Sequence, residues 1–261
     1  YRMAVTIAFT NLVPTTPLRG AGRPQAVFAM ERLMDAVAAK LGLDPAEVRR
    51  RNFIQASDMP YDMGLTYRDG APVMYDTGDY PDAQAKALAA AGYDDFPARQ
   101  KTALSQGRHI GIGIGNYVEG TGLGPFEGAT IRILTNGRVA IYTGAAAAGQ
   151  AHRTTLAQIC ADELNIDVTD IDVVGGDTGV MPRGAGTYAS RITVNAGSST
   201  RMAATELRGK ALALAAAKFD VKPEDVELTH GAVRIKGEQG DSITFEELAK
   251  MTSGMPGYAL P

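Results

Sequence analysis

The sequence predicts an α+β fold in packed layers, divided into two parts, 1–106 and 107–261. Three observations carry that reading. Apolar residues recur at helical spacing between Pro24 and Leu41. Two alternating runs flank Asn136-Gly137, the signature of a β-hairpin. A helix followed by an acidic turn and a strand occurs twice, around Leu164-Asn165-Ile166-Asp167 and again around Lys218-Phe219-Asp220-Val221.

In chain order, Val27, Met30, Met34, Val37 and Leu41 place one apolar stripe of the first helix toward a core. Pro24 suits its first turn and Gly42 its stop. Asp44-Pro45-Ala46-Glu47 reads as an N-cap, a first-turn proline and an acidic N3 residue, starting a short helix through Arg51. Residues 55–80 read as irregular, with a hairpin at Asp69-Gly70, and residues 81–106 as helical and polar. His109 to Glu119 alternates Ile and Gly, as a strand packed closely on other backbone would. Ala129 to Leu134 and Arg138 to Thr143 form the hairpin arms, with Asn-Gly suited to a type I′ turn. A helix over 153–164, a strand from Val168 to Val174, an Ala-rich helix over 194–218 and a hairpin turning at His230-Gly231 complete the series. The chain reads as part of something longer: it begins as if inside a strand and ends on Gly257-Tyr258-Ala259-Leu260-Pro261.

Composition narrows the function. A net charge of −3 provides no basic footprint for nucleic acid and no polybasic patch for lipid. No apolar run has the length of a membrane span, and the first residues lack the layout of a signal peptide, so a cytoplasmic location is expected. Cys160 is the single cysteine, which rules out an internal disulfide or a cysteine-held cluster within this chain. It lies on the apolar face of the 153–164 helix and reads as a buried, inert thiol. With only His109, His152 and His230, a His-rich metal site is not expected. Any redox centre must be held by other means or by another subunit.

Three loops of small residues carry the chemistry. Leu18-Arg19-Gly20-Ala21-Gly22-Arg23-Pro24 delivers a glycine-rich turn to a helix N-terminus, where free N–H groups favour anions. Gly149-Gln150 leads into the 153–164 helix by the same logic, and Gln150 offers donors and an acceptor to a heterocycle edge. Gly184 to Arg191, containing Thr187, Tyr188 and Ser190, forms a third loop. Taken singly, each also reads as an ordinary turn. Phe126 sits among glycines in Gly124-Pro125-Phe126-Glu127-Gly128, and by itself reads as a core residue. Gly111-Ile112-Gly113-Ile114-Gly115 fails as a dinucleotide fingerprint because no helix follows it. Glu238 follows a polar hairpin and reads as a solvated turn residue.

Together, LRGAGRPQAVFAMERLMDAVAAKLGLDPAEVRRRNFI (Leu18 to Ile54), YDTGDY (Tyr75 to Tyr80), GQAHRTTLAQICADELNI (Gly149 to Ile166) and GDTGVMPRGAGTYASR (Gly176 to Arg191) resemble the large, molybdenum-binding subunit of the xanthine dehydrogenase, aldehyde oxidase and carbon monoxide dehydrogenase family. The resemblance covers essentially the whole chain. It implies the layered molybdopterin-binding domains of that family: residues 1–106 as the C-terminal part of a first such domain and 107–261 as the N-terminal part of a second. It also implies a pterin, in its cytosine dinucleotide form, that itself holds the molybdenum, with no metal ligand from the protein. Aldehydes, ketone-bearing compounds or N-heterocycles would be oxidised with water as the oxygen source. Electrons would leave through an iron–sulfur subunit and an FAD subunit, and the remainder of the molybdenum subunit is a further expected partner.

Carried over by motif, Arg19 lies beside the metal, Gly149, Gln150 and Ala151 face the pterin, and Thr187, Ala189, Ser190, Arg191 and Thr193 offer donors to the cofactor. Gly20, Ala21 and Phe126 face the substrate, Phe126 as an aromatic that stacks on flat molecules. Three departures bear on this. Carbon monoxide oxidisers place a copper-binding cysteine where this chain has Gly20, so that reaction is not expected. Ala21 stands where some members place a second aromatic, which implies a roomier slot, and Ala151 replaces the usual glycine. The segment carrying the family's base glutamate is not matched, so no catalytic residue is expected in this chain and the isolated chain is expected to be inactive. The alternative is a scaffold that kept the fold and lost the cofactor; a flavin- or NAD-dependent reductase would rest on the glycine run already set aside.

Overall fold

A computed structural model describes residues 4, 6, 8–13, 18–67, 70–238 and 240–254. Two compact units divide the chain, Tyr1–Val118 and Glu119–Pro261.

In the first unit, helix α1 (Arg23–Leu41) starts after two overlapping turns and stops at Gly42, whose φ of 66° lets its N–H cap the last carbonyls. Asp44 caps α2 (Pro45–Arg51) as expected, its Oδ1 accepting from the N–H groups of Ala46 (2.8 Å) and Glu47 (3.1 Å). The expected stripe on α1 is only partly buried. Ala38 is fully covered and Val27 and Met34 are half-covered, while Met30, Val37 and Leu41 are exposed together with Phe28 and Leu33. Within its unit α1 packs chiefly on α2, through Arg49, so one neighbour covers one part of the stripe. Strands β1 (Tyr61–Thr66) and β2 (Pro72–Tyr75) pair antiparallel, so the region read as irregular does hold a hairpin. Asp69 of its proposed turn lies outside the described residues. Helices α3 (Tyr80–Ala91) and α4 (Phe96–Ser105) are separated at Gly92, φ 60°.

The Ile/Gly run at 109–119 is not a strand. Its backbone acceptors are taken by side chains instead: Gln100 donates to the Ile110 carbonyl (2.9 Å) and Arg49 reaches the Ile114 carbonyl (3.5 Å). With glycine at every second position, the run also has little side chain to bury on one face of a sheet.

Among its described residues the second unit is built on two small sheets and three α-helices. Strands β3 (Ala129–Ile133), β4 (Val139–Thr143) and β5 (Ile171–Gly175) form a sheet in that order, β3/β4 antiparallel and β4/β5 parallel. Helix α5 (His152–Leu164) makes the crossover from β4 to β5. Helix α6 (Ser198–Phe219) leads to an antiparallel meander of β6 (Val226–Thr229), β7 (Ala232–Ile235) and β8 (Ser242–Thr244), followed by α7 (Phe245–Met251). Alanines 204, 211 and 215 of α6 are buried, and their small side chains let the helix lie close to Val139, Ile141, Leu164, Val233 and Phe245 in one core. Cys160 is fully buried in the same cluster.

The two related units are present. α5 ends at left-handed Asn165 and α6 at left-handed Asp220, and each passes through a 3₁₀ turn (Val168–Asp170, Pro223–Asp225) into a strand. The expected strand start at Val168 therefore moves to Ile171, because Asp167 caps the turn through the Thr169 N–H (2.8 Å). His230 and Gly231 both have positive φ (45° and 74°) and make the tight turn foreseen between β6 and β7. The Asn136-Gly137 turn differs: only Gly137 has positive φ (81°), and its N–H reaches the Leu134 carbonyl (2.8 Å) while the Leu134 N–H reaches Arg138 (2.8 Å). That is a type I turn closed by a glycine bulge, one residue longer than a type I′ loop. The start of the 194–218 helix also differs, since a π-helical turn, Ile192–Gly197, precedes α6.

Candidate functional site

The parallel pair β4/β5 positions the site. Open sheets bind ligands in the crevice beyond the carboxyl ends of their parallel strands. Here β4 runs out into Gly144–Ala151 and then α5, and β5 runs out into Gly176–Arg191. Both are the small-residue loops singled out above.

Glycine lets these loops lie against each other. A Cβ on Gly144 would stand 2.1 Å from the Arg183 carbonyl oxygen, and one on Gly184 would stand 2.3 Å from that of Gly144, so any side chain at either position forces the backbones apart. Side chains then lock them. Thr187 Oγ1 donates to the Ala146 carbonyl (2.6 Å), and His152 Nε2 lies 2.8 Å from the same hydroxyl. A hydroxyl has one hydrogen, here given to Ala146, so Nε2 of His152 is the donor to Thr187. His152 is buried at the first turn of α5 and links that helix to both loops.

A third loop, 122–128, is held by a buried ion pair. Arg191 and Glu127 are both enclosed, with Nη1 of Arg191 2.5 Å from Glu127 Oε1. Arg191 also donates to the carbonyls of Gly186 (2.8 Å) and Pro125, and its guanidinium lies 5.2 Å from the Tyr188 ring centroid. Glu127 Oε1 accepts in addition from the Ala185 N–H (2.9 Å). Arg191 Nε and Glu127 Oε2 are buried without a partner among the described residues.

The sequence-predicted residues are distributed as follows. Gly149 (φ 106°) and Ala151 (φ 60°) flank Gln150, whose Oε1 accepts from the Ala148 N–H (2.6 Å), leaving its amide hydrogens to face outward at an exposed position. Ala189 and Ser190 both adopt left-handed backbone (φ 50° each), and the Ser190 carbonyl accepts from Gly122 N–H (3.1 Å). Thr193 lies exposed on the π-helical turn rather than on the loop. Arg191 gives its guanidinium to the protein interior, so it sets loop geometry; its backbone N–H donates to the Tyr188 carbonyl (3.3 Å) and its carbonyl accepts from the Asn195 N–H (2.7 Å). Phe126 is exposed at 65% rather than buried in the core, and the Arg183 guanidinium lies 4.4 Å from its ring centroid. Arg19, Gly20 and Ala21 belong to the first unit, exposed on the turns before α1, where Gly20 has φ 97° and a Cβ would stand 2.7 Å from the Pro24 ring. A cysteine at position 20 is therefore doubly disfavoured. Sequence reading missed Glu127, His152 and Arg183. The acidic residue inside a glycine run was the available signal for Glu127; nothing local marks the other two.

A cavity of about 350 Å³ opens between Ala145–Ala147, Ala151, His152, Arg153, Val173 and Gly175. It is walled largely by Cβ atoms and backbone, and it lies at the start of α5, where free N–H groups and the helix dipole favour negative charge. Among the described residues no group of three or more His, Cys, Asp or Glu side chains is placed to hold a metal ion. No helix among them is long and apolar enough to cross a membrane.

Loops at the carboxyl ends of two parallel strands, wired to each other and to a helix start, define a domain suited to holding an extended anionic group. Comparison with known proteins names that group. Two models of a molybdopterin cofactor-binding domain match residues 86–258 and 1–53. The chain belongs to the molybdopterin cofactor-binding domain family of the molybdenum hydroxylases. It is 37% identical over 249 residues to the gamma subunit of the 6-hydroxypseudooxynicotine dehydrogenase complex of Paenarthrobacter nicotinovorans, covering 95% of this chain and 31% of the relative. It is 37% identical to the carbon monoxide dehydrogenase large chain of Afipia carboxidovorans, covering 89% and 30%. Among solved structures, CO dehydrogenase from Oligotropha carboxidovorans matches with a TM-score of 0.73 and 35% identity over 93% of this chain and 32% of that one. Quinoline 2-oxidoreductase from Pseudomonas putida 86 matches with a TM-score of 0.73 and 31% identity over 92% and 32%. The chain thus spans about a third of the length of these relatives.

Proposed function

We propose that this chain is a cofactor-holding part of a molybdenum hydroxylase acting on aldehydes, ketone-bearing compounds or N-heterocycles, with water as the oxygen source. The observation that carries the proposal is the locking of the Gly144–Ala151 and Gly176–Arg191 loops to each other through Thr187, Ala146 and His152 at the carboxyl ends of β4 and β5. The fit to a pterin dinucleotide is good. The cavity is lined by small residues, Gly149 and Gly186 have open space where a Cβ would stand, and buried polar atoms at the Glu127–Arg191 pair are unspent.

In this reading Gly149, Gln150, Ala151, Thr187, Ala189, Ser190 and Thr193 hold the cofactor, taken as the cytosine dinucleotide form. Arg191, through Glu127, orients the loop that presents them. Arg19, Gly20 and Ala21 enter by motif alone, as residues for the metal end and the substrate. When bound, the group supplies the two-electron chemistry. The chain's own residues bind and orient it: the Gln150 amide donates to a heterocycle edge, and the helix start and Arg153 offset anionic charge. The base glutamate, the iron–sulfur and FAD subunits and the rest of the molybdenum subunit are proposed partners, in a cytoplasmic assembly.

The test is molybdenum and pterin analysis of the protein purified with its native partners, for the natural chain and for Gln150→Ala combined with Thr187→Val. We expect stoichiometric cofactor in the first and a loss of about tenfold or more in the second, as removal of the Gln150 donor together with the Thr187–Ala146 lock between the loops implies. A cofactor-free natural complex would sink the proposal in favour of a scaffold.

A further inference from the structure

We infer that Arg183 and Phe126 form a subsite that selects flat substrates bearing a carboxylate. The inference rests on the proposed hydroxylase reading and adds to it the charge of the substrate.

The Arg183 guanidinium lies 4.4 Å from the centroid of the exposed Phe126 ring. No carboxylate pairs with Arg183 among the described residues, whereas Arg49, Arg50, Arg138 and Arg191 each pair with one. The contact is held from both sides. Phe126 stands between Pro125, whose carbonyl accepts from Arg191, and Glu127, whose carboxylate accepts from Arg191 and from the Ala185 N–H. Arg183 is two residues from Ala185, and its own carbonyl is pressed against Gly144. One buried carboxylate thus ties down both the strip carrying the ring and the strip carrying the cation.

A guanidinium stacked on an aromatic face keeps its N–H edge free, and that planar fork matches a carboxylate bidentately. The ring beside it offers a surface for a flat apolar body. A ligand that uses both is a planar aromatic or heteroaromatic carboxylate. Both groups are exposed, so the ligand itself would cover them on binding, and a bidentate charge-assisted contact there distinguishes anion from neutral isostere by roughly tenfold.

Pyridine-3-carboxylate and its neutral amide are the probes, since they share shape and differ in charge. Calorimetric titration of each into the purified native complex should show the carboxylate binding at least tenfold more tightly. Arg183→Gln, a change at an exposed side chain, should erase that preference and leave amide binding unchanged. Phe126→Ala should weaken both probes alike. Equal binding of the two probes to the natural protein overturns the inference, as does an Arg183→Gln variant that weakens both equally. Pterin content is measured in parallel. If it falls in Arg183→Gln, the arginine serves the cofactor and the inference fails. A complex with no pterin at all, in any variant, instead refutes the hydroxylase reading, and the probe preference is still read directly from the titrations.

Discussion

Among the described residues two arginines are buried, one in each unit, and they are satisfied differently. Arg49 has every nitrogen engaged: Nε donates to Glu31 Oε2 (2.7 Å), Nη1 to the Pro45 carbonyl (2.9 Å), and Nη2 to the Glu31 carbonyl and Asp35 Oδ1 (2.9 Å each). Its two carboxylate partners remain 15% and 28% exposed. Arg191 and its partner Glu127 both have wholly enclosed side chains, yet each keeps a polar atom with no partner among the described residues. The first is a finished staple between two helices. The second lies beneath the loops of the site and carries polarity that packing does not consume. Incomplete satisfaction of a buried pair is tolerated where a region serves a ligand rather than its own stability.

The sharpest test of that difference removes one partner from each. Glu127→Ala leaves a fully enclosed guanidinium without its counter-charge, which costs about 3–5 kcal/mol. Arg49→Met leaves two carboxylates that already touch water and can rehydrate, so about 1–3 kcal/mol is expected. Chemical denaturation of the two variants, followed by circular dichroism, measures both. If Arg49→Met proves as costly as Glu127→Ala, enclosure of the partner is not what separates the pairs. Glu127→Ala should also leave the Ala185 N–H without its acceptor and loosen Arg191, which holds the Pro125 carbonyl, so proteolysis of the native-state protein should first cut near 122–128 or 183–191.

The same contrast explains what was legible in the sequence. Local chemistry was: the Asp44 cap, the His230-Gly231 turn and both helix–turn–strand units follow from neighbouring residues and appear in the structure. Glycine-rich loops at a helix start were legible as well, because φ above zero and close backbone approach leave a mark in residue type. Partnership across the chain was not. Glu127 and Arg191 are 64 residues apart, and His152 meets Thr187 across 35. Spacing carries no record of such pairs, so Arg191 was read as facing the ligand when its side chain faces inward. The Ile/Gly run misled for the opposite reason: its alternation is real, but no strand among the described residues lies against it. Asn136-Gly137 named the hairpin correctly and its loop one residue too short, since glycine at the left-handed position serves both turn forms.

A buried thiol sharpens the comparison from the apolar side. Cys160 has no counter-charge; burial, and then the negative charge of Glu163, push its thiol up to about 12. An ordinary thiol ionises near 8.5, so in the unfolded chain Cys160 loses its proton above that pH while the folded chain keeps it. The folded state then binds more protons, and stability falls as pH rises from about 9 toward 12, with a limiting slope of about 1.4 kcal/mol per pH unit. Cys160→Ala should remove that part of the alkaline decline, measured as denaturation midpoints between pH 8 and pH 10.5. A thiol reagent at pH 8 should label Cys160 only as fast as the protein unfolds. Rapid labelling of the folded protein would show that the core around α5 opens locally, and would place the reserve of instability in the core rather than in the loops.

The smallest expected effect concerns the loop itself. Ala151 is exposed at φ 60°, a left-handed conformation that costs an L-residue about 1–2 kcal/mol relative to glycine. Glycine gives back part of that through the greater freedom of the unfolded chain, about 0.5–1 kcal/mol. Ala151→Gly should therefore stabilise the chain by about 0.5–1 kcal/mol, visible as a small rise in the denaturation midpoint with an unchanged slope. The control is Asn165→Gly, at φ 49° on the other end of the same helix, where asparagine already tolerates the left-handed region and a smaller gain is expected. A larger gain at 151 than at 165 would locate stored backbone strain at the entrance to α5, beside the cavity. Equal gains would mean that the strain belongs to helix ends in general rather than to the entrance of the site.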